Sequence, residues 1–353
     1  MMNIQKAWWE LTGCGNKFCS DVIQALKGSD SVVIQGSAAL PWTDLLFDRL
    51  KSAGVSSTKA FDVIKPPAGC DPAEYLFNTY CSYSVQSKYW PQPPEYTHVN
   101  FLAEIDDTLL NQRFLVVNSF ASENDFLKWY KFVDRYCGLV KASGVDKSRR
   151  AAFILEYTGH PPCTVIYQQV KNIPFCPRDV DLLTYNLLNT SSDGIRYISN
   201  QYAAELVGEL CHGNIEQCGL LAGRKGLITD PIAVYKEFTQ QTAASAALSE
   251  QQIRSAVSLA QLKVFFPLVE QKRREITEKY YSAITALLPW ENDYKEKKIE
   301  PYDMELRDLL YKAREMDMES PDKELVIRLR DIRNDLAHNH ILSSADVNFL
   351  ISL

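Results

Sequence analysis

Strand-like segments stop about halfway along this chain, and that break constrains its fold more than any other feature. In the first half, short runs rich in Val, Ile and Phe recur at residues 31–35, 59–64, 113–118, 151–156 and 164–168. Continuous apolar runs of this length, bounded by turn residues, read as strands buried on both faces. Between them lie segments of helical spacing. Ala7, Trp8 and Trp9 with residues 18–26 predict an opening helix, Leu45, Leu46, Phe47 and Leu50 a second over 43–51, and residues 123–136 a third. Such alternation predicts an α/β domain with a mostly parallel sheet covered on both faces. From Arg178 onward the spacing turns helical. Residues 251–266 and 269–288 predict two long helices, the second carrying the charged run Gln271 to Glu275, which reads as a solvated face. A polar connector over 289–298 precedes a helix at 302–313. Ser320-Pro321-Asp322 then starts a helix ending near Ala337, and Ser343 caps a last short one.

A chain of 353 residues exceeds the comfortable size of one core. The expected division is an α/β domain over 1–190, a helical connector over 191–248 and an all-α helical bundle over 249–353. The net charge of −6 disfavours overall attraction to nucleic acid but leaves room for a local basic face. Nine cysteines form no CxxC pair, so neither a structural zinc site nor any other metal is expected. Their scatter, without a signal-peptide pattern, predicts reduced thiols and a cytoplasmic protein. No apolar run reaches membrane-spanning length, so no membrane association is expected.

Strand, loop, then helix is the build of a phosphate-binding loop, which makes Gly36 to Thr43 worth testing. The pattern GxxxxGK[ST] requires a second glycine, a lysine and a hydroxyl. Pro41, Trp42 and Thr43 occupy those places. Pro41 removes a backbone donor, and Trp42 puts bulk where a cation belongs. At the end of the 113–118 strand, Asn118 stands where a magnesium-orienting acid would be needed. Asp106-Asp107, a substitute pair, reads better as a cap. Residues 25–190 resemble a P-loop NTPase domain of AAA or STAND type with both nucleotide motifs eroded; an unrelated α/β domain whose loop begins with glycine stands beside that reading. Either way ATP hydrolysis is not expected, and no cofactor is.

The richest chemistry lies near the C-terminus, in Leu329 to His340. Leu325, Leu329, Ile332 and Leu336 repeat at helical intervals and predict a buried stripe. Arg330, Asn334 and His338 follow at i, i+4 and i+8 on another face, with Arg333 on its flank. An imidazole can move a proton near neutral pH, and arginine can hold a phosphate and offset transition-state charge. Asn334 is placed to orient the imidazole. One helix supplies one such set, so two facing copies would provide both an acid and a base.

Arg333-Asn334-Asp335-Leu336-Ala337-His338 resembles the Arg-x4-His pattern, with Asn in second place, of the HEPN superfamily. Its supporting context is the helical region from Ser249 to Leu353, with Pro301 to Leu306 on a preceding helix. HEPN domains are small helical bundles of prokaryotic toxin, CRISPR-linked and antiviral proteins, whose catalytic members are dimeric, metal-independent RNases. The resemblance implies Arg333 and His338 as catalytic residues with Asn334 in support. Arg330 and His340 are added from the spacing as nucleic-acid contacts. The expected function is that of an RNA-directed effector of a defence or toxin system, acting as a homodimer or with a protein partner from the same operon. The other reading is a non-catalytic adaptor that joins a partner ATPase, a nuclease or nucleic acid. Elsewhere, His160 beside Cys163, and the isolated His98 and His212, carry no supporting pattern. Trp8-Trp9 and Tyr89, Trp90 and Tyr96 read as core or interface aromatics before base-stacking ones. Lys147, Arg149 and Arg150 form a short basic knot.

Overall fold

The structure, a computed structural model, describes residues 4–36, 40–53, 59–92, 95–118, 120–158, 169–190, 197–242, 248–292 and 294–353. It divides into two compact units, Met1–Asp181 and Leu182–Leu353.

The first unit runs α1 (Ile4–Leu11), α2 (Gly13–Lys27), β1 (Val32–Gly36), α3 (Thr43–Ser52), β2 (Ala60–Ile64), α4 (Pro72–Tyr80), α5 (Tyr83–Gln86), α6 (His98–Glu104), β3 (Arg113–Val117), α7 (Glu123–Ala142), β4 (Ala152–Thr158) and β5 (Lys171–Phe175). The strands form one sheet in the order β2-β3-β4-β1-β5, every pair parallel. Central strands β1, β3 and β4 are buried, as continuous apolar runs require. On one face the rings of Trp8, Trp9, Phe18 and Phe175 meet with centroids 5.2–6.3 Å apart. The expected opening helix is thus two helices, and the tryptophans are core. The break falls at Thr12, whose hydroxyl donates to the Trp8 carbonyl at 2.6 Å and accepts from the Gly15 N–H at 3.0 Å. That satisfies one of the orphan donors at the start of α2. The other face packs Phe126, Trp129, Val133 and Tyr136 of α7 with Leu115, Phe153 and Leu155.

The expected strand at 164–168 lies outside the described residues. The fifth strand is Lys171–Phe175, a stretch whose Pro174 argues against a strand in the middle of a sheet. Among the described residues it lies at the sheet edge, paired only with β1. There a proline costs no ladder bond on the open side.

The second unit continues through α8 (Asp179–Thr190, whose first turn belongs to the first unit), α9 (Tyr197–Leu210), α10 (Ile215–Ala222), α11 (Pro231–Thr242) and α12 (Glu250–Lys279). It ends with α13 (Tyr281–Leu287), a hairpin of β6 (Trp290–Glu291) and β7 (Lys297–Lys298), α14 (Leu306–Lys312), α15 (Ser320–Ala337) and α16 (Ser344–Ser352). α12 is the axis: α9 lies along it, and α15 packs against it. The described helices of the 191–248 stretch, read from sequence as a connector, are part of this packed unit. The two long helices expected on either side of Pro267 are one helix of 30 residues. Pro267 sits on the exposed side, so the carbonyl it leaves unbonded faces water, while Phe265, Leu268 and Val269 stay buried around it. The polar connector contains the small hairpin, closed by antiparallel pairing of Trp290 with Lys298. No described helix is long and apolar enough to cross a membrane.

Candidate functional site

α15 begins with Pro321 in its first turn and buries Val326, Leu329, Ile332 and Leu336. The stripe therefore starts at Val326, with Leu325 only half-buried, because the helix is rotated slightly from the expected face. The opposite strip carries Arg330 and Arg333, half-buried, and Asn334, exposed. These three side chains line a groove of about 620 Å3. Phe266, Glu270 and Arg273 of α12 form another wall, and Tyr302, Asp303, Glu305, Leu306 and Arg307 a third, with Tyr294 at the hairpin. Four arginines meet three carboxylates there, so cationic side chains gather in the groove of an acidic chain.

The arginines differ in duty. Arg273 is a clamp: its Nε donates to Glu270 at 2.8 Å, and its Nη1 to the carbonyls of Tyr302 at 3.2 Å and Met304 at 2.9 Å. It fixes the 302–304 segment onto α12. The charged run at 271–275 is therefore not wholly a solvated face. Arg333 lies 3.6 Å from Glu305, and Arg330 pairs at 2.7 Å with its sequence neighbour Asp331. Partly exposed pairs of this kind are worth about 0–1 kcal/mol. A phosphate, which arginine binds with two parallel donors, can displace such partners.

The histidines stand apart from the groove lining. α15 closes with the N–H of His338 on Asn334 O at 3.0 Å, of Asn339 on Leu336 O at 3.1 Å and of His340 on Asp335 O at 2.9 Å. Asn339 takes φ 57°, the left-handed position that ends a helix in this way. His338 is the C-cap, and both imidazoles are exposed with centroids 6.0 Å apart. His340 Nδ1 lies 3.2 Å from Asp335 Oδ1. The contact between Asn334 and His338 is the main-chain one. So the structure gathers Arg330, Arg333 and Asn334, and sets His338 and His340 at the helix end. The turn beyond them is anchored by Gln261 of α12, buried, which accepts from the Leu342 N–H at 2.8 Å and donates to the Tyr202 hydroxyl at 3.1 Å.

At the phosphate-loop position in the first unit, two of the described residues offer no backbone donor to a phosphate. Residues 37–39 lie outside the described residues. The Leu40 N–H serves the half-buried carboxyl of Glu156 on β4, and Pro41 has none. Burial pushes that carboxyl up, with the Leu40 bond opposing. Trp42 holds φ 44° as the N-cap of α3, without a side-chain cap.

Other candidates resolve into structure. Asp106, expected as part of a cap, pairs instead with the buried guanidinium of Arg150, and Thr108 stands at the N-cap position of the following 3₁₀ turn without a side-chain bond to it. Lys147 bonds Asp30 at 2.7 Å, so the basic knot is largely occupied internally. His98 stacks on Tyr89 at 4.4 Å and Phe77 at 4.6 Å. His212 holds a left-handed turn at φ 46°. His160 and Cys163 lie outside the described residues. Among the described residues no cluster of three or more His, Cys, Asp or Glu is placed to hold a metal. Sequence reasoning missed Arg273, Arg307, Tyr294 and Tyr302, which reach the groove from elements far apart in the chain. Comparison with protein-family models, with curated proteins and with solved structures finds no match.

Proposed function

We propose that the helical unit acts on RNA, cutting it without a metal through Arg333 and His338 in an HEPN-like manner, as the effector part of a prokaryotic defence or toxin system. The observation that carries this reading is the groove in which Arg330, Arg333 and Asn334 converge with Arg273 and Arg307. Arginines so placed hold a phosphodiester and offset the charge gathering on it. The exposed His338 is free to take the 2′-hydroxyl proton. The 2′ oxygen then bonds to phosphorus while the 5′ oxygen leaves with a proton, giving a 2′,3′-cyclic phosphate and a 5′-hydroxyl. Because His338 lies at the helix end and not in the groove lining, a second copy is the natural source of the other proton-transfer group, which makes the working form a homodimer. Full-length protein incubated with RNA in the presence of a chelator is expected to yield cyclic-phosphate ends. His338→Ala and Arg333→Ala should abolish them without altering the circular dichroism. Cutting that persists in His338→Ala, or that requires magnesium, refutes the reading.

A second reading is favoured by Leu40, whose N–H is engaged by Glu156, and by Pro41, which has no N–H to give. A P-loop-like unit lacking donors at these two positions suits an adaptor that joins a partner ATPase or nuclease from the same operon. Its signature would be RNA or partner binding with no cleavage under any condition.

A further inference from the structure

The surface around the arginine groove carries aromatic rings where a solvated face would ordinarily carry polar groups. Tyr281, Tyr294, Tyr302 and Tyr311 are 45%, 67%, 46% and 61% exposed. Two of them stand at the borders of the groove. Tyr302 lines it and also a neighbouring hollow of about 580 Å3 bounded by Tyr281, Pro289 and Ile299. Tyr294 lines it and also a small recess beside Trp290 and Tyr311. The three depressions are thus joined through these two tyrosines.

The main chain at Tyr302 and the side chain of Tyr294 are each held by an arginine, while both rings remain partly open to solvent. The Tyr302 carbonyl is fixed by Arg273 at 3.2 Å. The Arg307 guanidinium lies 4.7 Å from the Tyr294 ring centre and donates to its hydroxyl. Beyond it, Trp290 and Tyr311 stack at 5.6 Å with Lys312 over both rings. Cations interleaved with half-exposed rings are the equipment of a surface that tracks a backbone and stacks successive bases.

Resting on the reading of this unit as RNA-directed, we infer that Tyr294 and Tyr302 are base-stacking residues that bracket the arginine groove and select an unpaired strand. Arg330 and Arg333 take the phosphate between two bases, and each tyrosine takes the base on its side. A duplex hides its base faces, so the rings find nothing to stack on. The carboxylates of Glu270, Asp303 and Glu305 add to that selection, since they oppose a broad phosphate-bearing surface lying across the groove. The rings lie partly in solvent, so their replacement leaves the packing of the unit intact.

The test uses the full chain carrying His338→Ala, so that the probe is not consumed. Fluorescence anisotropy at fixed salt compares a labelled oligoadenosine of about a dozen nucleotides, within the span such surfaces cover, with the same strand annealed to its complement. The unpaired strand is expected to bind more tightly. Tyr294→Ala and Tyr302→Ala should each weaken it about five-fold or more, the loss of one stacked base. Phenylalanine at either position should bind like tyrosine, and leucine like alanine. Equal affinity for the duplex, unchanged binding by the alanine variants, or leucine variants that bind like wild type would overturn the inference and point to an apolar protein contact instead. If neither probe binds, the proposed function falls with it. If the unpaired strand binds but ignores the tyrosines, only this inference falls.

Discussion

Gln261→Met is the substitution that best tests how the C-terminal turn is held. Gln261 is buried in α12, and its amide joins Tyr202 on α9 to the Leu342 N–H just beyond His340. Methionine matches its length and shape without hydrogen bonding. The Leu342 N–H then has no acceptor, a cost of about 1–3 kcal/mol, and the Tyr202 bond is lost at about 0.5–1.5 kcal/mol. Burying a thioether where an amide stood returns about 1 kcal/mol. The net expectation is a loss of about 2 kcal/mol, set mostly by the orphaned donor. Adding Tyr202→Phe removes the other unpaired group, so the double variant should be no less stable than the single one. Equilibrium urea unfolding measures the loss, and hydrogen exchange followed by mass spectrometry places it. Protection in the peptide spanning 338–343 should fall first, and RNA cutting should fall with it because His338 shares that turn. A midpoint that does not move, or a double variant clearly weaker than the single one, refutes the reasoning.

Gly15→Ala would ordinarily stabilise a helix by about 0.5–1 kcal/mol, but here the new Cβ would lie 2.2 Å from the Trp8 carbonyl oxygen and 2.8 Å from Thr12 Oγ1. The sign should reverse, with a loss of about 1–3 kcal/mol in thermal or urea unfolding. Burial pulls the Lys59 ammonium down to about 8 from 10.5. Between those two pH values the unfolded chain keeps a proton that the folded chain has released, so wild type should gain stability relative to Lys59→Met as pH rises through that window. A gap that instead widens against wild type there would be contrary. Burial also pushes the thiols of Cys19, Cys81 and Cys137 up to about 11. Alkylation of the native protein at neutral pH should therefore reach the exposed Cys176 well before these three, by peptide mass mapping.

The parallel sheet was legible because its central strands are short, apolar and flanked by turns, which is the pattern burial on both faces demands. Lys171–Phe175 was not: among the described residues it is an edge strand, which needs only one bonded side and so admits Pro174 and exposed polar residues. The continuity of α12 was hidden for a related reason. A proline signals a break in sequence, yet on a solvent-facing position the helix keeps its buried contacts and gives up one hydrogen bond to water. In both cases the tertiary setting decided what the local residue type could not.

The candidate site shows the same limit more sharply. Spacing put Arg330, Asn334 and His338 on one strip, and for Arg330 and Asn334, together with Arg333, the groove is where that strip leads. His338 leaves it because the sequence also encodes a helix stop: Asn339 accepts the left-handed conformation, and the N–H groups of residues 338–340 fold back onto the last carbonyls. A residue one step beyond the last helical turn no longer follows the helical wheel. The groove's other half, Arg273, Arg307, Tyr294 and Tyr302, comes from α12, the hairpin and the segment before α14, so no local window contains it. The consequence is chemical. If the exposed His338 and the groove arginines serve one reaction, the phosphate must reach from the groove to the helix end, or a second copy must bring its own His338 to the groove. Only the second arrangement makes cutting fall with the square of dilution below the dimer's dissociation constant. A specific activity that stays constant on dilution would leave the single-chain route as the one to pursue.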